Sequence, residues 1–98
     1  PVEQVVRGLS ARPAAAVGLR DRGLVRAGYR ADINVIDFDR LTLGPPRVAY
    51  DLPAGGKRIV QGATGYRATL LRGVAVREDD APTGALPGRL VRGAQAAA

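Results

Sequence analysis

The stretch that most constrains the fold is the run 21–37, in which glycines mark a turn before a strongly apolar segment. Gly23 and Gly28 bracket a short piece, 24–26, that predicts a brief strand. The segment 31–38 follows, and its apolar residues occupy both odd and even positions: Ile33, Val35, Ile36 and Phe38. A strand that is apolar on both faces is expected in the middle of a sheet that is covered on both sides. The run therefore predicts a central β-strand over 31–38.

The first twenty residues predict two short helices. Apolar residues at the spacing i, i+3, i+4, i+7 indicate one amphipathic helix, and they are Val2, Val5, Val6 and Leu9. Ser10 is suited to cap a second helix, whose first turn tolerates Pro13. Helices of this length are not stable alone in water. The segment 1–20 is therefore expected to pack on another structure.

The rest of the chain predicts short strands separated by turns rich in glycine and proline. Arg72-Gly73 fits a two-residue hairpin turn, and the acidic segment 78–82 predicts an exposed turn. A loop is expected over 41–46. The predicted strands are 47–50, 57–62, 66–71, 74–77 and 89–91. The fold class predicted is mainly β, a small β-sandwich or barrel preceded by one or two short N-terminal helices.

The chain of 98 residues contains neither histidine nor cysteine. Disulfides and thiolate metal sites are therefore excluded, and the usual acid/base group at neutral pH is missing. A zinc site would have to consist of carboxylates alone. We accordingly predict no catalytic, cofactor-binding or metal-binding residue in this sequence.

The net charge of +6 comes almost entirely from arginine, and Lys57 is the one lysine. Such a balance attracts nucleic acid or anionic membranes. The basic residues are spread singly along the chain, with no basic run longer than Lys57-Arg58, which favours a solvated surface. No apolar run approaches the roughly 18 residues that span a bilayer. Neither membrane nor nucleic acid is therefore the expected partner.

Two glycine-rich pieces, 55–58 and 62–65, suggest phosphate loops, but neither has the Walker or the dinucleotide-binding spacing. Glycines with positive φ in turns are the favoured interpretation. Tyr50 and Tyr66 are expected to cover the edge of the core rather than to stack on bases.

Asp32, Asp37 and Asp39 are the carboxylates that most resemble a metal or acid/base cluster. On a strand over 31–38, Asp37 and Asp39 would share one face and Asp32 would lie on the other. Aspartates at strand ends commonly form turns and caps, and no second catalytic partner is identifiable. A structural role is the favoured interpretation for all three.

Several stretches together resemble the metal-dependent amidohydrolases. Residues 9–19 are similar to the family's Ser-x-x-Pro-Ala…Gly-Leu helix, and 21–37 to its Asp-x-Gly…Gly-x-x-Ala-Asp run. Residues 70–78 look like the family's hairpin, with Arg72 where asparagine is common. The segments 53–56 and 63–66, and above all the Thr-Gly-x-x-Pro-Gly-Arg ending within 83–92, resemble the N-acyl-D-amino-acid deacylase (D-aminoacylase) branch.

The resemblance implies a parent enzyme in which a barrel binds one or two divalent metals, usually zinc, through residues upstream of this sequence. None of the family's catalytic or metal positions maps onto the chain. Residues 1–20 would pack on the barrel, 21–93 would form a C-terminal β-sandwich completed by N-terminal strands, and 94–98 would be a disordered tail.

The implied function is that of a non-catalytic domain in an enzyme that hydrolyses N-acyl-D-amino acids. The expected partners are the remainder of the parent chain or, through an exposed strand edge, a second copy, and the expected location is the cytoplasm. Two alternatives stay open. One is a cyclic-amide hydrolase of the dihydroorotase or hydantoinase kind, and the other is a free-standing basic β-domain that binds nucleic acid or a protein.

Overall fold

The computed structural model describes residues 1–93, in which two short helices precede eight short strands. The helices are α1 (Val2–Leu9) and α2 (Ala11–Ala16). The strands are β1 (Ile33–Ile36), β2 (Thr42–Leu43), β3 (Arg47–Ala49), β4 (Arg58–Val60), β5 (Ala63–Thr64), β6 (Tyr66–Leu71), β7 (Val74–Glu78) and β8 (Ala81–Pro82). The predicted class, mainly β with short N-terminal helices, is confirmed.

All strand pairs are antiparallel and belong to three small sheets. The largest has the order β1-β6-β7-β8, and the pairs β2-β5 and β3-β4 form two more. Strand β6 is central in the four-stranded sheet, and most of its residues are half-buried. Within residues 1–93, the sheets do not close into a barrel.

Two consecutive two-residue turns connect β6, β7 and β8. Arg72 and Gly73 both have positive φ, 52° and 79°, as a type I′ hairpin turn requires. The predicted hairpin is therefore confirmed. Asp79 and Asp80 also have positive φ, 47° and 66°, so the predicted acidic turn is a second hairpin whose return strand, β8, was not predicted.

The predicted central strand over 31–38 is wrong in length and in position. Strand β1 ends at Ile36, and Phe38 begins a 3₁₀ turn. In the sheet β1 lies at an edge, and Val35, Ile36 and Phe38 are 45%, 41% and 67% exposed. The pattern indicates a covered strand, whereas residues 1–93 supply no layer that covers it.

Two other predicted strands are absent from residues 1–93, and one loop is more ordered than expected. Segment 24–26 is not a strand, because the backbone N–H of Arg30 bonds to the carbonyl of Asp21 at 2.7 Å and closes the segment as a loop. Segment 89–91 pairs with no strand among the described residues. Within the predicted loop 41–46, β2 pairs with β5, and the N–H of the neighbouring Gly44 donates to the carbonyl of Gly62 at 2.8 Å.

The helices form as predicted, with Ser10 at the boundary between them. Ser10 occupies the N-cap position of α2, but its side chain makes no capping hydrogen bond. No helix within residues 1–93 has the length and apolar character to cross a membrane.

Residues 1–93 bury almost no core of their own. Ala14, at 8% exposed, is the one buried hydrophobic residue among them. The radius of gyration is 15.6 Å, against about 13 Å for a compact domain of 100 residues. The fold is therefore an open arrangement of small sheets with its apolar side chains largely uncovered.

Candidate functional site

The most ordered polar cluster lies in the loop between α2 and β1 and is centred on Asp21. Nε of Arg30 donates to Oδ2 of Asp21 at 2.6 Å, and Nε of Arg22 donates to Oδ1 at 3.1 Å. The Asp21 side chain is only 13% exposed. The hydrogen bonds from Arg30 and then from Arg22 hold the pKa of the Asp21 carboxyl below its usual value. Both guanidinium groups are thereby fixed at Nε.

Asp32 connects this loop to the β6–β7 hairpin. Its Oδ1 accepts the backbone N–H of Arg72 at 3.0 Å, and its Oδ2 lies 3.7 Å from Nη1 of Arg22. The N–H of Gly73 also donates to the carbonyl of Ala31 at 3.0 Å. Asp32 therefore joins two stretches that lie 40 positions apart, which is the structural role expected for it.

A cleft of about 310 Å³ opens beside Asp32. Asp32 is the one acidic residue that lines it, and Leu71, Leu90 and Val91 supply apolar wall. The remaining charged residues of the lining are Arg22, Arg30, Arg72, Arg89 and Arg92. We call this feature the arginine cleft. Sequence reasoning missed it because these arginines are scattered along the chain, and no spacing pattern indicates that the fold brings them together.

In the sequence, Asp32 comes directly before β1, whereas Asp37 and Asp39 come after it. Asp37 follows β1, and its Oδ2 is 3.3 Å from Nη2 of Arg67 and 3.7 Å from Nε of Arg40. Asp39 is in the 3₁₀ turn Phe38–Arg40. The prediction that Asp37 and Asp39 share a strand face is wrong, because the strand ends before either residue.

Asp80 is an anchoring residue that sequence reasoning did not single out. Its carboxylate accepts two backbone N–H groups, from Gly65 at 3.0 Å and from Tyr66 at 2.9 Å. The second hairpin turn is thus attached to the start of β6. Tyr66 is half-buried, whereas Tyr50 is 71% exposed and does not cover a core edge as predicted.

The two glycine-rich pieces are only partly turns, because 55–58 begins at the end of the 3₁₀ turn Pro53–Gly55 and 62–65 contains strand β5. Gly55 and Gly65 have positive φ, 73° and 104°, as the turn interpretation requires. Gly62 does not have positive φ, and its carbonyl accepts the N–H of Gly44. Neither piece has the spacing of a phosphate loop, and the N–H of Gly65 is bonded to the carboxylate of Asp80.

The residues present do not fit a zinc ion. Within residues 1–93, no three side chains of the ligating types converge as a metal site would require, and the sequence contains neither histidine nor cysteine. Asp32, Asp37 and Asp80 are instead bonded to arginines or backbone N–H groups.

The fold and its polar clusters define a small antiparallel β-domain, preceded by helices, whose carboxylates hold turns and ion pairs. Residues 1–77 match the model of the amidohydrolase family, and the chain belongs to that family. The helix and loop motifs in 9–37 and most of the hairpin in 70–78 lie within the match, whereas the ending 83–92 lies outside it. No curated protein and no solved structure matches the chain significantly.

Proposed function

We propose that the chain is the non-catalytic C-terminal β-domain of a metal-dependent amidohydrolase that hydrolyses N-acyl-D-amino acids to a carboxylate and a free D-amino acid. The observation that carries this proposal is that the apolar stripe of α1 is exposed and that residues 1–93 bury almost no core. A domain with these properties completes its folding against another surface.

The stripe is exposed over its whole length. Val2, Val5, Val6 and Leu9 are 48%, 60%, 55% and 76% exposed. Burying a valine or leucine side chain contributes about 1.5–3 kcal/mol, so covering four of them is a substantial driving force. The side of a barrel in the same polypeptide is the proposed cover.

Strand β1 offers a second contact for the remainder of the parent chain. It is an edge strand with exposed apolar side chains, and an edge of this kind pairs readily with a further strand. Strands from the N-terminal end of the parent would supply that pairing. In their absence, we propose that a second copy of the chain pairs with this edge.

We also propose that the enzyme is located in the cytoplasm.

Zinc, when bound in the parent, supplies a Lewis acid that activates a water for attack on an amide carbonyl. Residues 1–93 hold no ligand set for it, and the proposed location of its ligands is the barrel. The contribution of this chain is to pack against the barrel and to stabilise it.

The substrate class rests on the resemblance of the ending 83–92 to the D-aminoacylase branch. Thr83 attaches this ending to the sheet, since its Oγ1 donates to the carbonyl of Ala75 at 2.8 Å and accepts the N–H of Ala85 at 3.2 Å. The start of the ending is thus attached to the sheet. Cyclic-amide hydrolysis is the runner-up.

The test begins with the DNA upstream of the Pro1 codon. An in-frame extension of roughly 350 residues would provide room for a (β/α)₈ barrel. The product of the complete reading frame is then assayed, with zinc, on N-acetyl-D-amino acids, their L-enantiomers, hydantoin and dihydroorotate. Preferential hydrolysis of the D-enantiomers supports the proposal. Turnover of only the cyclic amides supports the runner-up, and a start codon next to Pro1 overturns both.

A further inference from the structure

We propose that the arginine cleft binds a small phosphorylated ligand, a phosphate monoester or a diphosphate. This inference is independent of the proposed function, because it concerns a site formed by residues of this chain alone.

The cleft contains guanidinium groups whose positions are fixed before any ligand arrives. Asp21 lies behind the cleft and holds Arg22 and Arg30 at Nε, at 3.1 and 2.6 Å. The Nη groups of Arg30 are left for another acceptor, because no hydrogen bond to them is described within residues 1–93. A planar guanidinium held in this way binds an oxyanion without first losing side-chain freedom, and its fork geometry matches phosphate.

The cleft carries excess positive charge. Counting only Arg22, Arg30, Arg72 and Arg89, four guanidinium groups face the carboxylates of Asp32 in the wall and Asp21 behind it, which leaves two unbalanced positive charges. Within residues 1–93, no carboxylate lies within ion-pair distance of Arg72 or Arg89. A phosphate monoester carries about −1.5 to −2 at pH 7, which suits this excess better than a single carboxylate does.

The size and walls of the cleft also fit a small ligand. Its volume of about 310 Å³ lies at the lower end of the range for small-molecule sites. The side chain of Arg22 is only 17% exposed, and Leu71 in the wall is half-buried. Reduced contact with water strengthens the attraction between a guanidinium and an oxyanion.

The experiment measures binding of pyrophosphate and inorganic phosphate by isothermal titration calorimetry. It uses the product of the complete reading frame, so it can succeed whether or not a barrel precedes the domain. Succinate and a single-stranded oligonucleotide are titrated at the same ionic strength. We expect saturable binding of pyrophosphate that is at least tenfold tighter than binding of succinate.

Two variants locate the site without disturbing the fold. Arg72→Asn keeps a residue suited to positive φ, and Arg89→Gln changes an exposed side chain with no described ion pair. Each is expected to weaken pyrophosphate binding about tenfold, the usual effect of losing one charge-assisted hydrogen bond. Arg47→Gln removes the same charge from β3, away from the cleft, and is expected to bind as the unmodified protein does.

Three results would overturn the proposal. One is an absence of saturable binding of pyrophosphate, and another is an equal loss of binding in all three variants, which would indicate general charge attraction. The third is an oligonucleotide that binds at least tenfold more tightly than pyrophosphate and loses affinity in Arg72→Asn, which would make the cleft part of a nucleic-acid surface.

Discussion

Gly65 lies where the start of β6 passes closest to the 3₁₀ turn that follows β1. Its φ is +104°, and a Cβ at this position would lie 2.8 Å from Cα of Leu41 and 2.9 Å from the carbonyl oxygen of Arg40. Its N–H also donates to Asp80, so the backbone there is held from two sides. Only a residue without a side chain fits both the conformation and the space.

Gly65→Ala is expected to lower the free energy of unfolding by about 3 kcal/mol, because strain and overpacking add at the same position. Gly62→Ala is the matched control, since no atom lies within 4 Å of a Cβ built there and its φ is not positive. Urea denaturation of the complete gene product measures both. Equal midpoints for the two variants would contradict the structure.

Asp21 makes the stability of the domain dependent on pH. Its pKa in the folded state is held below the ordinary value of 3.8, so the ionised carboxylate stabilises the fold fully above that value. The contribution is lost as the pH falls through the lower pKa of the folded state. Asp21→Asn is therefore expected to be less stable than the unmodified protein at pH 7, with a difference that shrinks below pH 3.8.

Thermal unfolding from about pH 7 to pH 2 measures this difference. Asp39→Asn is the control, because within residues 1–93 Asp39 makes no ion pair, and it is expected to change stability by less than about 0.5 kcal/mol. A stability difference for Asp21→Asn that stays the same from pH 7 to pH 2 would count against the ion-pair cluster.

At the scale of elements, the β6–β7 hairpin contains a residue that is not ideal for its turn. Arg72 has φ of +52°, a region that asparagine tolerates better than most residues. Arg72→Asn is therefore expected to raise stability by about 0.5–1 kcal/mol. Arg72→Ala removes the same charge without the conformational preference and is expected to give no gain. Melting temperatures measured by calorimetry test whether Arg72→Asn is more stable than the unmodified protein and Arg72→Ala is not.

The elements that were predicted correctly are those that local patterns specify. The spacing of Val2, Val5, Val6 and Leu9 defines α1, and Arg72-Gly73 defines the hairpin, in both cases through neighbours a few positions apart. The burial of β1 was predicted wrongly for a physical reason. A strand that is apolar on both faces indicates that something covers it, and it does not indicate whether the cover belongs to the same 98 residues.

The candidate site could not be predicted because its contacts are distant in the sequence. Asp32 meets Arg72 across 40 positions, and Asp80 meets Gly65 across 15. Each aspartate was individually recognisable as a turn or cap former. Which backbone N–H groups it would bind depends on the strand pairing, and no single-residue pattern specifies that.

At the scale of the whole molecule, a substitution in the exposed stripe of α1 tests whether the domain packs on a barrel or stands alone. Val5 is 60% exposed here, so Val5→Ser is expected to leave the 98-residue chain almost unchanged. In the complete gene product the same change is expected to lower stability by about 2 kcal/mol, because the side chain would be buried there. Gln4→Ser, also on α1, is the control in both proteins.

Circular-dichroism melting curves of the two lengths, with and without each change, measure this effect. A loss of stability from Val5→Ser that is equal in the long and short proteins would contradict packing of α1 on the remainder of the parent chain.

The pairing of β1 with β6 has a consequence for synthesis on the ribosome. Asn34 on β1 meets Thr69 on β6 across 35 positions, whereas β6, β7 and β8 are joined by consecutive two-residue turns. At a translation rate of about 5–20 residues per second, β1 stays unpaired for about 2–7 s until the ribosome has synthesised β6. Asp32 and Asp37 stand directly before and after β1, and charged residues that flank an apolar strand oppose its aggregation. Asp32 and Asp37, which bind residues of β6 and its hairpin in the folded protein, thus first oppose aggregation of the nascent chain.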